Sequence, residues 1–208
     1  MREFAAIPAA ERRRIRRAAF VASLPVLMGY VTMGFAAGVL MAVKGGLVHP
    51  AAWSALLAAS TVSGTLSFAI VPLVADGASL AAVAALTLGI NFRYAFYGFS
   101  MLGRWKDVPF LRKCYLILML TDENYALEAA SPIADPREHL RYCTYLSVLN
   151  HSYWIVGVTS GAVAVALLGM VVDPDAIRSW TNGMEFAMLA LFLVIFTDQM
   201  RGFCRRGK

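Results

Sequence analysis

Long stretches of the chain carry no formal charge. Residues 18–43, 45–75 and 142–172 lack Asp, Glu, Lys and Arg altogether, and 77–92 with 94–103 form a fourth such stretch broken only by Arg93. A helix needs roughly 20 apolar residues to cross the hydrocarbon of a bilayer, and each stretch is long enough. A fifth candidate, 179–200, carries Glu185 and Asp198 near its ends. The pattern predicts an all-α protein, a polytopic bundle of membrane helices.

Helix one is expected over about 18–43, with Pro25 in its first third and Gly29, Gly34 and Gly38 in its second half. Gly34 and Gly38 form a GxxxG, a spacing that lets two helices approach closely. Exposure of backbone to a substrate is the alternative use of these glycines. Residues 51–75 have a centre rich in hydroxyls and glycine: Ser60, Thr61, Ser63, Gly64, Thr65 and Ser67. That centre suits either a continuous span or two half-helices with an unwound middle, a break tolerated at membrane depth where backbone lines a cavity. Helix three is expected over about 79–102. Residues 114–131 are ambiguous, because Thr121-Asp122-Glu123-Asn124 interrupts an apolar start and Ser131-Pro132 and Asp135-Pro136 follow. The last apolar blocks, 142–172 and 179–200, are separated by Asp173-Pro174-Asp175. The organisation read from this pattern is a basic tail over 1–17, a transmembrane domain over 18–200, and a basic tail over 201–208.

Composition agrees. Of the 208 residues 59% are hydrophobic and 15% charged, and mean hydropathy is +0.62, against about a quarter charged in an ordinary soluble domain. The net charge of +6 comes from short basic clusters beside apolar runs, the pattern of cytoplasmic flanks, so the expected partner is a lipid bilayer and not nucleic acid. The arginines at 12–14, 16 and 17 resemble the start of a signal peptide, but the apolar run behind them exceeds a signal core of about 7–15 residues. It reads as a retained first span. Cys114, Cys143 and Cys204 show no metal-ligand spacing, and no cofactor is expected.

Charge bias places both termini in the cytoplasm, which requires an even number of crossings. The basic cluster 104–113 should also lie inside. Three full crossings before it would put it outside, and the conflict disappears if 51–75 is broken and re-entrant.

Ionisable residues inside apolar runs are the strongest functional signal, since each costs on the order of 2.5–3.5 kcal/mol at the centre of a membrane helix. Arg93 sits near the middle of its span. Its guanidinium calls for a carboxylate, either Asp122 or Glu123 of the protein or one brought by a substrate. Asp122 and Glu123 point about 100° apart on a helix, so one can face a cavity while the other meets Arg93 or solvent. The alternative is a surface pair at the head of a loop. Asn91, Tyr94 and Tyr97 share a helical face beside Arg93. Asn150 and His151 form a smaller polar island, and Trp53, Trp105, Trp154 and Trp180 are expected mostly near membrane interfaces. No Walker A, GxGxxG, HExxH or GxSxG motif occurs. The chain is therefore not read as an enzyme, and transport through it would be driven by a gradient.

Four stretches carry a family resemblance: G-Y-V-T-M-G-F-A-A-G-V-L in helix one; S-G-T-L-S-F at 63–68; N-F-R-Y-A-F-Y-G-F-S at 91–100 followed by T-D-E at 121–123; and W-I-V-G-V-T-S-G-A at 154–162 with G-M-E-F-A-M-L-A-L-F at 183–192. Through these the chain resembles the AzlC-type permeases, the large subunit of branched-chain amino acid exporters. The resemblance implies export of valine, leucine, isoleucine or similar amino acids across the bacterial cytoplasmic membrane. It also implies a small membrane partner of the AzlD type. The family's second stretch typically reads A-G-S-A-Q-F; here Ser63 replaces the first Ala and Ser67 the Gln, a difference that bears on substrate preference.

An amino acid fits the residues. Arg93 would hold its carboxylate, and Asp122 or Glu123 its ammonium. Small residues near Gly34, Gly38, Gly64 and Ser67 would leave room for its side chain. Proton coupling through a carboxylate is expected. The competing reading is a non-transporting membrane subunit for assembly or sensing, in which Arg93 and the acids are structural.

Overall fold

The computed structural model describes residues 8–45, 49–61, 63–105 and 108–186, and beyond them 190, 193, 194, 197, 200 and 201. Residues 1–7 and 202–208 of the expected tails, and much of the expected 179–200 span, including Asp198 and the side chain of Glu185, lie outside the described residues.

The described elements are helical throughout. They are α1 (Ala9–Lys44), α2 (Pro50–Ser60), α3 (Gly64–Ala75), α4 (Leu80–Met101), α5 (Phe110–Leu118), α6 (Asp122–Ala129), α7 (Pro136–Leu168) and α8 (Pro174–Trp180), followed by one 3-10 turn at Met184–Phe186. Three of them, α1, α4 and α7, are long and apolar enough to span a membrane. α1 has 36 residues, about 54 Å at 1.5 Å per residue, against a hydrocarbon core of about 30 Å. It therefore takes in the arginines at 12–17 as its first turns and leaves them outside the apolar layer. Pro25 lies within it without ending it.

α1 and α7 run side by side in the same direction. Arg14 meets Glu138 at 2.8 Å, Ser23 meets Tyr153 at 3.1 Å, Gly34 lies against Gly157, and Gly38 against Val158 and Ala162. Close approach makes glycine necessary here. A Cβ added at Gly38 would collide with the Val158 carbonyl oxygen, and one at Gly161 with that of Phe35. The GxxxG of α1 thus interlocks with Gly157 and Gly161 of α7, small residues facing small residues.

Two further segments, α2–α3 and α5–α6, are each a pair of short helices. α2 ends at Ser60, Thr61 and Ser63 are extended, and α3 starts at Gly64. Phe68 and Val71 of α3 share a core with Ala58 of α2 and with Ala37, Leu40 and Met41 near the end of α1. α3 therefore turns back toward the end from which α2 entered. α4 then descends, and Met101 and Trp105 join Ile15 and Ala19 of α1 in a second core. The basic stretch after α4 consequently lies at the same end as the arginines of α1, as the re-entrant reading of 51–75 requires.

The second pair enters from that opposite end. Thr121, between α5 and α6, reaches the hydroxyl of Tyr30 midway along α1 at 2.8 Å. α6 runs back down α7, with Asn124 beside Asn150 and the Glu128 carbonyl beside His139. The ambiguity over 114–131 resolves into two short helices with a break at 119–121.

The four tryptophans divide by burial. Trp105 and Trp154 are buried, while Trp53 and Trp180 are exposed. Trp154 packs edge-on against Tyr30, ring centres 5.8 Å apart, because α7 turns that face toward α1.

Candidate functional site

The two half-helices α3 and α6 begin close together, at Arg93 of α4. Each start is capped by a hydroxyl, as a short helix requires to satisfy its first free N–H groups. Ser63 Oγ accepts from the Leu66 N–H, and Thr121 Oγ1 from that of Asn124. Arg93 Nη2 lies 3.5 Å from Thr65 Oγ1 at the start of α3. Its Nη1 lies 2.6 Å from Asp122 Oδ2, the first residue of α6. Asp122 also sits at the positive end of the α6 dipole, which favours a carboxylate there.

Glu123, the neighbour of Asp122, points elsewhere. It accepts a hydrogen bond from Tyr30 Oη at 2.9 Å, and that oxygen in turn accepts from Thr121 Oγ1. The adjacent acids therefore bind two different helices, as their angular separation on α6 dictates.

The ion pair is incompletely satisfied. Arg93 Nε and Asp122 Oδ1 are both buried without a hydrogen-bond partner, and so is Asn91 Oδ1. One N–H donor and two acceptor oxygens thus sit unmatched around the pair. Unmatched buried polar atoms are costly and uncommon in folded proteins. The rest of each side chain is partly open, 35% for Arg93 and 40% for Asp122, whereas the unmatched Nε and Oδ1 are covered in this conformation.

Aromatic rings frame the pair. Tyr94 lies under the guanidinium at 5.3 Å, a cation–π distance. Tyr97 stacks on Tyr125 of α6 with ring centres 4.6 Å apart. Arg93 and Tyr97 of α4 thus meet Asp122 and Tyr125 of α6, with Tyr94 beside the guanidinium, while Glu123 faces Tyr30 of α1 and Asn91 stands two residues before Arg93 on α4. Gly64 and Ser67 are on α3, where Ser67 is buried and donates to the Ser63 carbonyl one turn back at 3.0 Å. Gly34 and Gly38 lie instead in the α1–α7 contact. Clefts of about 470 and 370 Å³ lie elsewhere, at the arginine-rich start of α1 beside Tyr145.

Sequence reasoning passed over Tyr30, whose only signal is a phenol inside a glycine-rich apolar run. It also passed over Glu128, whose signal is an acid four residues short of a proline. Both are ordinary residues in one dimension and meet the site or its supporting helix only after folding.

A profile of the AzlC protein family matches residues 25–168. A membrane protein of uncharacterised role from Helicobacter pylori (strain ATCC 700392 / 26695) is 33% identical, the match covering 88% of this chain and 75% of the relative. One from Haemophilus influenzae is 32% identical, over 88% and 70%. The branched-chain amino acid transport protein AzlC of Bacillus subtilis (strain 168) is 28% identical, over 88% and 67%. No solved structure matches. A match through both half-helix pairs and all three long helices places the chain in the AzlC family.

Proposed function

We propose that this chain is the large subunit of a secondary transporter that exports branched-chain or other hydrophobic amino acids across the bacterial cytoplasmic membrane, coupled to protons. Both termini face the cytoplasm, and a small membrane subunit of the AzlD type completes the complex. The observation that carries this reading is the Arg93–Asp122 pair, with an unmatched donor and an unmatched acceptor on its two members.

A zwitterion supplies what the pair lacks. Once the covering groups move aside, its carboxylate accepts from Arg93 Nε and its ammonium donates to Asp122 Oδ1, so both are met without separating the pair. Positive ends of the α3 and α6 dipoles add to the attraction for the carboxylate. The aliphatic side chain then turns toward the apolar walls. Such a pocket separates aliphatic side chains by about 1–3 kcal/mol per methylene, so valine, leucine and isoleucine would all be carried. Phe92, Phe96 and Phe99 on the outer side of α4 are exposed, a surface suited to lipid or to the small subunit.

Efflux of radiolabelled valine from cells tests the reading. Arg93→Ala and Asp122→Asn are each expected to lower efflux at least tenfold with unchanged amounts of protein in the membrane. Full efflux in both variants would remove the site assignment. Liposomes containing the chain and its small partner that move no amino acid would favour an assembly or sensing subunit.

A further inference from the structure

The contact between α6 and α7 holds a second set of buried polar groups. His139, Cys143, Ser147 and Asn150 recur at three- and four-residue spacing, so they stack on one face of α7, and all four are buried. α6 covers that face. Asn150 Nδ2 donates to Asn124 Oδ1, and Asn124 Nδ2 donates to the Met119 carbonyl. His139 Nε2 lies 3.1 Å from the Glu128 carbonyl oxygen. The same Nε2 lies 3.5 Å from Arg104 Nη1, and the Cys143 sulfur lies 3.5 Å from Nδ1.

Glu128 stands inside this set with its side chain fully buried. Neither of its carboxyl oxygens meets full hydrogen-bond geometry, although the Ser147 hydroxyl and the Cys143 thiol are close enough to interact with it. An ionised carboxylate there would be a desolvated anion whose nearby donors are a thiol, a hydroxyl and one more distant guanidinium, and burial of such a charge costs several kcal/mol. The neutral acid avoids that cost. The groups facing it are few. α7 presents His139, Tyr142, Cys143 and Ser147, and the turn after α4 presents the guanidinium of Arg104. The surrounding core from α1 is Ile15 and Ala19, both apolar.

We propose that Glu128 is the proton-binding group of the transporter. This deepens the proton-coupled reading given above and depends on it. Glu128 and Asp122 occupy opposite ends of one short rigid helix, about 9 Å apart along its axis. Protonated, Glu128 lets α6 pack dry against α7, and Asp122 is held at Arg93. When its O–H bond breaks, the proton leaves for the aqueous end marked by His139 and Arg104, and the electron pair stays on the carboxylate. The new anion favours a position of α6 closer to Arg104 and water. That shift draws Asp122 away from Arg93, so proton and amino acid are linked through one helix, each biasing the same two-state element.

The full chain with its small partner, reconstituted in liposomes, tests this with two readouts: valine accumulation driven by a pH gradient, and counterflow of labelled against unlabelled valine at equal pH. Glu128→Gln copies the neutral acid. It is expected to lose gradient-driven accumulation at least tenfold, to keep counterflow within twofold, and to keep the thermal midpoint of the parent. Gradient-driven accumulation that survives in Glu128→Gln overturns the proposal alone. A Glu128→Gln chain that fails to fold, or that melts well below the parent, also overturns it, because a neutral isostere must fit a site built for the neutral acid. A parent protein whose accumulation ignores the pH gradient overturns the coupling reading and the proposal with it.

Discussion

Arg93, midway along α4, lies 2.6 Å from Asp122, the first residue of α6, although 28 residues of chain, by subtraction (122 − 94), separate them. The contact exists because α5 climbs to the level of Tyr30 and α6 turns back there, which brings a half-helix start to the middle of another helix. Two half-helix pairs, entering from opposite ends, set their second members against the same arginine. Under the proposed function this is the arrangement of a transporter site made from discontinuous helices, where helix starts offer N–H groups and positive dipole ends to an anion.

Tyr30→Phe should loosen α6 without touching the Arg93 pair. It removes the hydrogen bond to Glu123 and the one from Thr121. A hydrogen bond to a charged group contributes about 1.5–3 kcal/mol, and the partial exposure of Glu123 places the expected effect near the low end. The measurement is the thermal midpoint of the purified protein, expected to fall by several degrees, together with a several-fold loss of valine efflux. An unchanged midpoint would mean that Tyr30 does not hold α6.

Glycine positions in α1, α4 and α7 should split into two classes. Gly38→Ala and Gly161→Ala place a Cβ inside the opposing backbone, and forced overpacking costs about 1–3 kcal/mol. Gly29→Ala and Gly89→Ala meet nothing within 4 Å and should be neutral or slightly favourable, since alanine is the better helix former. Thermal unfolding of the four variants in one detergent checks this. Equal midpoints across the set would contradict the close α1–α7 contact.

Sidedness follows from the two reversals. After replacement of Cys114, Cys143 and Cys204, single cysteines at Ala10, Lys113 and Asp135 should react with an impermeant maleimide from one side of the membrane. Single cysteines at Gly45, Asp76 and Asp173 should react from the other. If Asp76 labels with Ala10, the α2–α3 pair crosses the membrane and the hairpin is wrong.

Much of this protein is written in its linear order. Uncharged runs longer than a bilayer is thick leave no soluble alternative, and α4 appears within one residue of its expected bounds, because length and burial cost in lipid act on each segment separately. Arg93 stands out for the same reason: a guanidinium in hydrocarbon needs a partner whatever the fold. The hydroxyl-rich centre of 51–75 signalled a break, since Ser, Thr and Gly are weak helix formers that cap well.

What the order of residues left open, folding decided. Asp122 and Glu123 were equivalent candidates until the start of α6 aimed one at Arg93 and the other at Tyr30. Gly34 and Gly38 had two uses open to them until α7 arrived alongside α1, parallel to it, and closed over them. Glu128 carried only the signal of a surface acid, since an acid near a proline reads as surface until a second helix covers it. Local composition fixes which segments enter lipid, because solvation is a property of the segment. Which polar groups then meet is a property of how helices turn back and pack, and that is set by contacts between residues far apart in the chain.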